Sequence, residues 1–276
     1  MKTGALTWLI WVVAVAGAAL LASVVLEVLT SGWPLLSWHF VTAGPRALTA
    51  GGGVGPLVFN TVYMVAGGLL LSVPLGLLAA IHRTEYGGGR WIEELATLLS
   101  ALPSVVVGLA LFTLLVAVAH WPFSRLAGML ALGAINLPWV AAAGIPVLRQ
   151  VADARREASL ALGASVWTTV WRVVVPEALP ALVSALAVGG ARLLGEAAAL
   201  IYTAGANTPA QFTWSLWAPG ATLAVHLWQV RTEGLMPDAN QVAAATGLVL
   251  LGLMGAVLLV GGGLAHWLGR RAGIRG

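Results

Sequence analysis

Residues 156–182 read REASLALGASVWTTVWRVVVPEALPAL. Arg156, Glu157, Arg172 and Glu177 stand there, with Gly163, Pro176 and Pro180, in a chain that is 59% hydrophobic and only 9% charged. The segment is too polar to cross hydrocarbon. Trp167, Trp171 and three consecutive valines, Val173, Val174 and Val175, make it too apolar for a solvated loop. What this interruption is for decides how the rest of the chain is read.

The surroundings are those of a membrane protein. A mean hydropathy of +0.93 over 276 residues lies far from the soluble range, where about a quarter of residues are charged. A water-soluble domain of this length would have to expose much of that apolar surface. The chain has no cysteine, which excludes disulfides, thiolate metal sites and thiol catalysis. Its net charge of +4 is read as a mark of membrane topology and gives no case for nucleic-acid binding. The only lysine is Lys2. A phosphate-binding P-loop needs a Lys beside its glycines, and the run Gly51-Gly52-Gly53-Val54-Gly55 has none. Any ATP that drives this chain is hydrolysed by another subunit.

A bilayer core takes about 20 apolar residues of helix. Six stretches qualify, near residues 7–29, 57–81, 98–119, 126–148, 179–203 and 242–268. The first is too long for a signal-peptide core and is read as a retained span. With the N-terminus cytoplasmic, the inside set is Lys2, Arg83, Arg90, Arg149, Arg155, Arg156, Arg172, Arg270, Arg271 and Arg275, against Arg46, Arg125 and Arg231 outside. Ten against three places both termini, and residues 150–176, in the cytoplasm. Trp33, Trp38, Trp214, Trp217 and Trp228 then fall in outer loops as an interfacial belt. Pro74, Pro103, Pro138 and Pro146 are read as kinks within spans. Gly67-Gly68, Gly189-Gly190 and Gly261-Gly262-Gly263 are read as places of close helix approach. The expected organisation is a first helix with its outer loop over 1–56, a transmembrane domain over 57–268 and a tail over 269–276.

Residues 150–172 are helical in pattern. Asp153, Arg155, Arg156, Glu157 and Arg172 can face water, and Ala154, Ala158, Leu160, Ala161 and Leu162 supply an apolar side. Gly163 ends the helix. A second short helix is expected with Val166, Trp167, Val170, Trp171 and Val174 as its stripe, stopped by Pro176. The two make a knob outside the membrane whose apolar stripe calls for a partner.

The spacing Glu157-Ala158-Ser159, three residues, Gly163, nine residues, Val173-Val174-Val175-Pro176 resembles the EAA loop of ABC-importer permeases: Glu-Ala-Ala, three residues, Gly, nine residues, Ile, one residue, Leu-Pro. Ser159, Val173 and Val175 are conservative departures. The resemblance implies an all-α, six-span, MetI-like type I importer permease, with this loop as the coupling helix that docks on a separate ATPase subunit. Other stretches resemble the PstA branch. They are Gly51–Pro56 leading into Asn60-Thr61, then 74–81 with Thr84-Glu85-Tyr86, then Pro103-Ser104-Val105-Val106-Val107-Gly108-Leu109, and Ala191-Arg192-Leu193-Leu194-Gly195-Glu196-Ala197-Ala198. This branch implies phosphate import, two ATP-binding subunits, a PstC-like second permease and a periplasmic phosphate-binding protein around a multi-pass protein of the bacterial inner membrane. No cofactor is implied in this chain. Where the branch carries an Arg and an acid after the fourth-span Leu-Pro, this chain has Ala142 and Ile145. Molybdate, sulfate or another anion therefore stays open as cargo.

Arg192 and Glu196 stand four apart, on one face of a helical fifth span, and can touch. Ionisable groups at that depth are costly and face protein or an aqueous path. They are either a structural ion pair or the place where the guanidinium meets a passing anion. An enzyme is disfavoured, because His39, His82, His120, His226 and His266 are scattered and form no metal-binding pattern. A membrane scaffold or sensor partner would explain the spans and the knob but not Arg192 and Glu196.

Overall fold

The computed structural model describes residues 2–46, 49–87, 89–151, 153–207, 212–234 and 237–271. Arg275 and most of the expected tail lie outside them. Among the described residues the regular elements are all helical. In chain order they are α1 (Lys2–Gly32), α2 (Trp38–Thr42), α3 (Gly55–Glu85), α4 (Arg90–Ser100), α5 (Ser104–Leu111), α6 (Arg125–Arg149), α7 (Asp153–Ala161), α8 (Val166–Thr169), α9 (Val175–Leu194), α10 (Ala198–Thr203), α11 (Leu223–Glu233) and α12 (Ala239–Arg271). Five continuous helical stretches are long and apolar enough to cross a bilayer, or six if a bent pair counts as one.

The centre is the pair α3 and α6, which run parallel. A β-carbon at Gly68 would stand 2.7 Å from the Leu132 Cβ, and one at Gly76 2.7 Å from the Val140 Cβ, so the two backbones approach closely. Asn136 Nδ2 donates to Ser72 Oγ at 2.8 Å within this seam, a polar tie among apolar contacts. Helix α9 packs on α6 and α12, with Gly261 admitting Ala187. Helix α1 packs along α12, and a β-carbon at Gly32 would meet the Ala244 carbonyl carbon at 2.6 Å. Most α1 side chains, among them Trp8, Ile10, Trp11 and Leu21, are exposed, as in a helix whose solvent is lipid.

Two expectations about the spans need correction. The third is not one straight helix over 98–119. Helix α4 and the stretch Ser104–Val118 meet at 95°, and Pro103 stands at the bend instead of inside a span. Proline lacks an N–H and disfavours helix at Leu102, while α4 has the charges of a surface helix: Arg90, Glu93 and Glu94. Glu93 pairs with Arg83 of α3 at 3.3 Å and Arg149 of α6 at 2.7 Å, which lays α4 across the helix ends. After α5 the chain continues as a π-helix, Phe112–Val118. The fifth span begins earlier than residue 179. Helix α8 runs through a π-turn, Val170–Val174, straight into α9, and the apolar stretch extends from Val166 to Leu194. Pro176 therefore does not stop the second knob helix. It sits at the second position of α9, where the wider π-turn before it leaves its missing N–H without consequence.

Candidate coupling and translocation sites

At one end of the bundle α7 and α8 form the expected knob. The Gly163 backbone is left-handed, with φ +82°. Gly163 N donates to Leu160 O at 2.9 Å and Ala164 N to Ser159 O at 3.2 Å, the crossed pair that closes a helix on a C-terminal glycine. Ser165 Oγ then accepts from Thr168 N at 3.2 Å and opens α8, so the chain reverses within four residues. Ser159 Oγ lies 2.9 Å from Thr169 Oγ1 and ties the helices together.

The apolar stripe divides in two. Val170 and Val174 are buried against Ala80, Ile81, Ile145, Leu148 and Ala178, inside the chain itself. That part of the expected partner surface is corrected: the π-turn rotates these valines onto the ends of α3 and α6. Leu162 (89% exposed), Trp167 (62%), Leu160, Val166 and Trp171 remain open, as do Glu157 and Ala158. Trp167 and Trp171 pack edge to face at 5.4 Å and form a rigid apolar ledge.

Arg156 points the other way. Its Nε and Nη2 donate to the two Glu85 oxygens at 3.1 Å each, Nη2 also donates to Leu148 O at 2.6 Å, and Nη1 donates to Asp153 Oδ1 at 3.0 Å and to Val151 O. Arg155 pairs with Glu177 of α9. Sequence reasoning gave Arg156 only a solvated role and Glu85 none. The clue was the Thr84-Glu85-Tyr86 stretch, an acid at the end of a span on the same side as the knob.

Arg192 and Glu196 are not brought together as expected. Helix α9 ends at Leu194, Gly195 N and Glu196 N turn back onto Arg192 O and Leu193 O, and Glu196 Oε1 accepts from Ala199 N at 3.3 Å. The glycine ends the helix before Glu196 can share its face, and the carboxylate caps α10 instead. No ion pair joins the two. Arg192 is exposed and has no hydrogen-bond or ion-pair partner among the described residues. It lies on an open face of α9 with Ala181, Ser184, Val188 and Gly195. Toward the knob this face runs into a cavity of about 680 Å³ lined by Gln150, Glu177, Ser184, Gly262 and His266. Ile145 is buried in the core and Ala142 half-buried, so the second cation suggested by the resemblance has no counterpart here.

Arg125 also departs from expectation. It was read as an outer-loop charge, yet it is fully buried at the start of α6. Its Nη1 donates to Thr213 O at 2.7 Å and Ser215 O at 3.1 Å, and its backbone N to Ala218 O at 3.0 Å. It anchors the segment 212–222 at the end of the bundle opposite the knob.

Residues 72–273 match the family described as "Binding-protein-dependent transport system inner membrane component". The chain belongs to this family. This permease is 35% identical over 267 residues to the "Probable ABC transporter permease protein YqgI" of Bacillus subtilis, covering 91% of this chain and 90% of that one. It is 31% identical over 253 residues to the phosphate transport system permease protein PstA of Yersinia pestis, covering 89% and 80%. In fold it is similar to a chain of the bacterial alginate ABC transporter solved with an alginate pentasaccharide-bound periplasmic protein, at TM-score 0.66, 14% identity and coverage of 96% and 95%. It is also similar to a chain of the MetNI methionine ABC transporter, at TM-score 0.59, 20% identity and coverage of 78% and 94%. The expected all-α, MetI-like permease architecture of the PstA kind and a multi-pass place in the inner membrane therefore hold.

Proposed function

We propose that this permease is one of two membrane subunits of an ATP-driven phosphate importer and couples to a separate ATPase through α7 and α8. The observation that carries the reading is the knob: a ledge of Leu162, Trp167 and Trp171 stands uncovered beyond the spans, on a chain with a single lysine and no P-loop. An apolar ledge next to Glu157 suits burial in a cleft of a partner. Both termini and the knob face the cytoplasm in this reading. The structure weakens the opposing charge count, since Arg125 is buried and leaves Arg46 and Arg231 as the open outer cations.

ATP binding would close a pair of ATPase subunits and draw the knobs of this chain and a PstC-like partner together. The bundle would then open outward to receive phosphate from a periplasmic binding protein. The open face of α9 supports an anion path. An unpaired guanidinium beside small side chains is costly against lipid and is well placed along a watery route, where its fork can meet phosphate oxygens. Glu196, just past the end of α9, would hold α10 in register. Names of relatives support phosphate; Ala142 and Ile145, in place of a second cation and its acid, keep another tetrahedral or oxo-anion as a second reading.

The test is the reconstituted complex with its binding protein. Phosphate should stimulate ATP hydrolysis and enter vesicles, whereas sulfate and molybdate should not. Arg192→Ala should abolish uptake while the complex assembles; normal uptake would remove Arg192 from the path. Stimulation by sulfate or molybdate alone would replace phosphate as cargo.

A further inference from the structure

The coupling reading requires that force applied to α7 reach the spans, and α7 is poorly attached to them. None of its nine residues is buried. Its exposed side carries Glu157, Ala158 and the neighbouring ledge. The attachments behind it are Ser159–Thr169, Arg155–Glu177, in which Arg155 is more than half exposed, and Arg156.

Arg156 differs from the other two. Its side chain is 17% exposed and that of Glu85 only 6%. The guanidinium meets both carboxylate oxygens of Glu85, the last residue of α3, and also the Leu148 carbonyl in the last turn of α6 and the Val151 carbonyl just past it. A planar fork can hold a carboxylate in one orientation, and a cation at a helix C-terminus is favoured by the helix dipole. One side chain thus grips α7, α3 and α6 together. Because α3 and α6 are packed along their whole seam, a pull on Arg156 moves them as a body. Resting on the coupling reading above, we infer that the Arg156–Glu85 clamp is the linkage that carries motion of α7 into the α3–α6 pair, with Arg156 a positioning residue and no part of the docking surface.

The experiment uses the full reconstituted complex with its binding protein and measures three things: ATPase subunits retained on purification, ATP hydrolysed and phosphate imported. Arg156→Ala and Glu85→Gln should retain the ATPase subunits, yet lower phosphate imported per ATP by about tenfold, within the range by which residues on a transmission route alter coupling. Arg156→Lys keeps the charge and loses the fork, and should fall between. Exchanging the partners, Glu85→Arg with Arg156→Glu, should recover part of the ratio. If the alanine variant does not fold, the cysteine-free background allows Glu85→Cys with Arg156→Cys, joined by a short bifunctional thiol reagent. Import per ATP should then be low before linking and rise after it.

Release of the ATPase subunits by Arg156→Ala, with import per ATP unchanged in what remains bound, would make Arg156 a docking residue and overturn the inference while sparing the coupling reading. An unchanged ratio in all variants would overturn it too. The coupling reading itself stands on a separate arm: Leu162→Asp with Trp167→Asp should release the ATPase subunits, and retention there would sink that reading whatever Arg156 does.

Discussion

The two ends of the bundle are held together by different chemistry. At the knob end, Arg83 and Arg149 share Glu93, Arg155 meets Glu177, and Arg156 meets Glu85 and Asp153. At the opposite end Arg125 is fully buried and donates to the Thr213 and Ser215 carbonyls, Asn60 Nδ2 donates to Ala221 O at 3.1 Å, and Thr61 Oγ1 accepts from Leu223 N at 2.9 Å. Apart from the Arg156–Glu85 clamp, these ion pairs reach water and can part and re-form with other partners at modest cost. A buried guanidinium held by backbone carbonyls cannot, because it would be left unpaired in an apolar setting. One end is built to be rearranged and the other to stay as it is. If the chain is driven from its knob, as proposed, that asymmetry would set where motion begins and where it is resisted.

The contrast breaks most visibly at Arg125. Arg125→Ala should cost about 2–4 kcal/mol, since it empties a filled site and takes the donor from the Thr213 and Ser215 carbonyls. A fall in the thermal midpoint of the detergent-purified chain would register it; melting like the parent would mean that the end opposite the knob is not held by this residue. Next comes acid. Burial pulls His226 of α11 down to about 4 and keeps it neutral, whereas an unfolded histidine titrates near 6.5. The unfolded state binds the proton first as pH falls below 6.5, so stability is lost toward pH 4, by about 2 kcal/mol at pH 5. His226→Leu should flatten that part of the stability profile between pH 7 and 5, and an unaltered slope would count against burial as its cause.

At the knob the effects should be smaller in stability and larger in assembly. Gly163→Ala meets no neighbouring atom within 4 Å but must hold φ +82°, a strain of about 1–2 kcal/mol. Weaker retention of the ATPase subunits, with a nearly unchanged melting point, is the expected pattern; retention at parent level would mean that the Gly163 turn does not set the knob. Glu93→Gln should cost under about 1 kcal/mol and lose its effect as salt rises, as befits half-exposed pairs. A salt-independent loss like that of Arg125→Ala would erase the distinction between the ends.

Much of this was readable from the residues. The apolar runs marked the spans, and Gly163 between two short amphipathic patterns marked the knob. The misreadings came where local pattern met a competing contact. Leu98 and Leu99 looked like the start of a span, but Glu93 is held between Arg83 and Arg149, and Pro103 turns the chain instead. Val170 and Val174 looked like a partner's surface, but a π-turn carries them onto α3 and α6. The i, i+4 spacing of Arg192 and Glu196 promised a pair, but Gly195 ends the helix between them. Arg125 counted as a loop charge because periodicity gives no sign that carbonyls 88 and 90 residues away will enclose it.

By itself the sequence determined the solvent, the helical class and the interruption at residues 156–182, because hydropathy, helix period and glycine conformation are properties of neighbours along the chain. Which charges are locked, which are left open and which arginine joins the knob to the spans was decided only in three dimensions. Glu85 and Arg156 are 71 residues apart, and a buried charge is tolerable only where such a distant partner arrives to meet it.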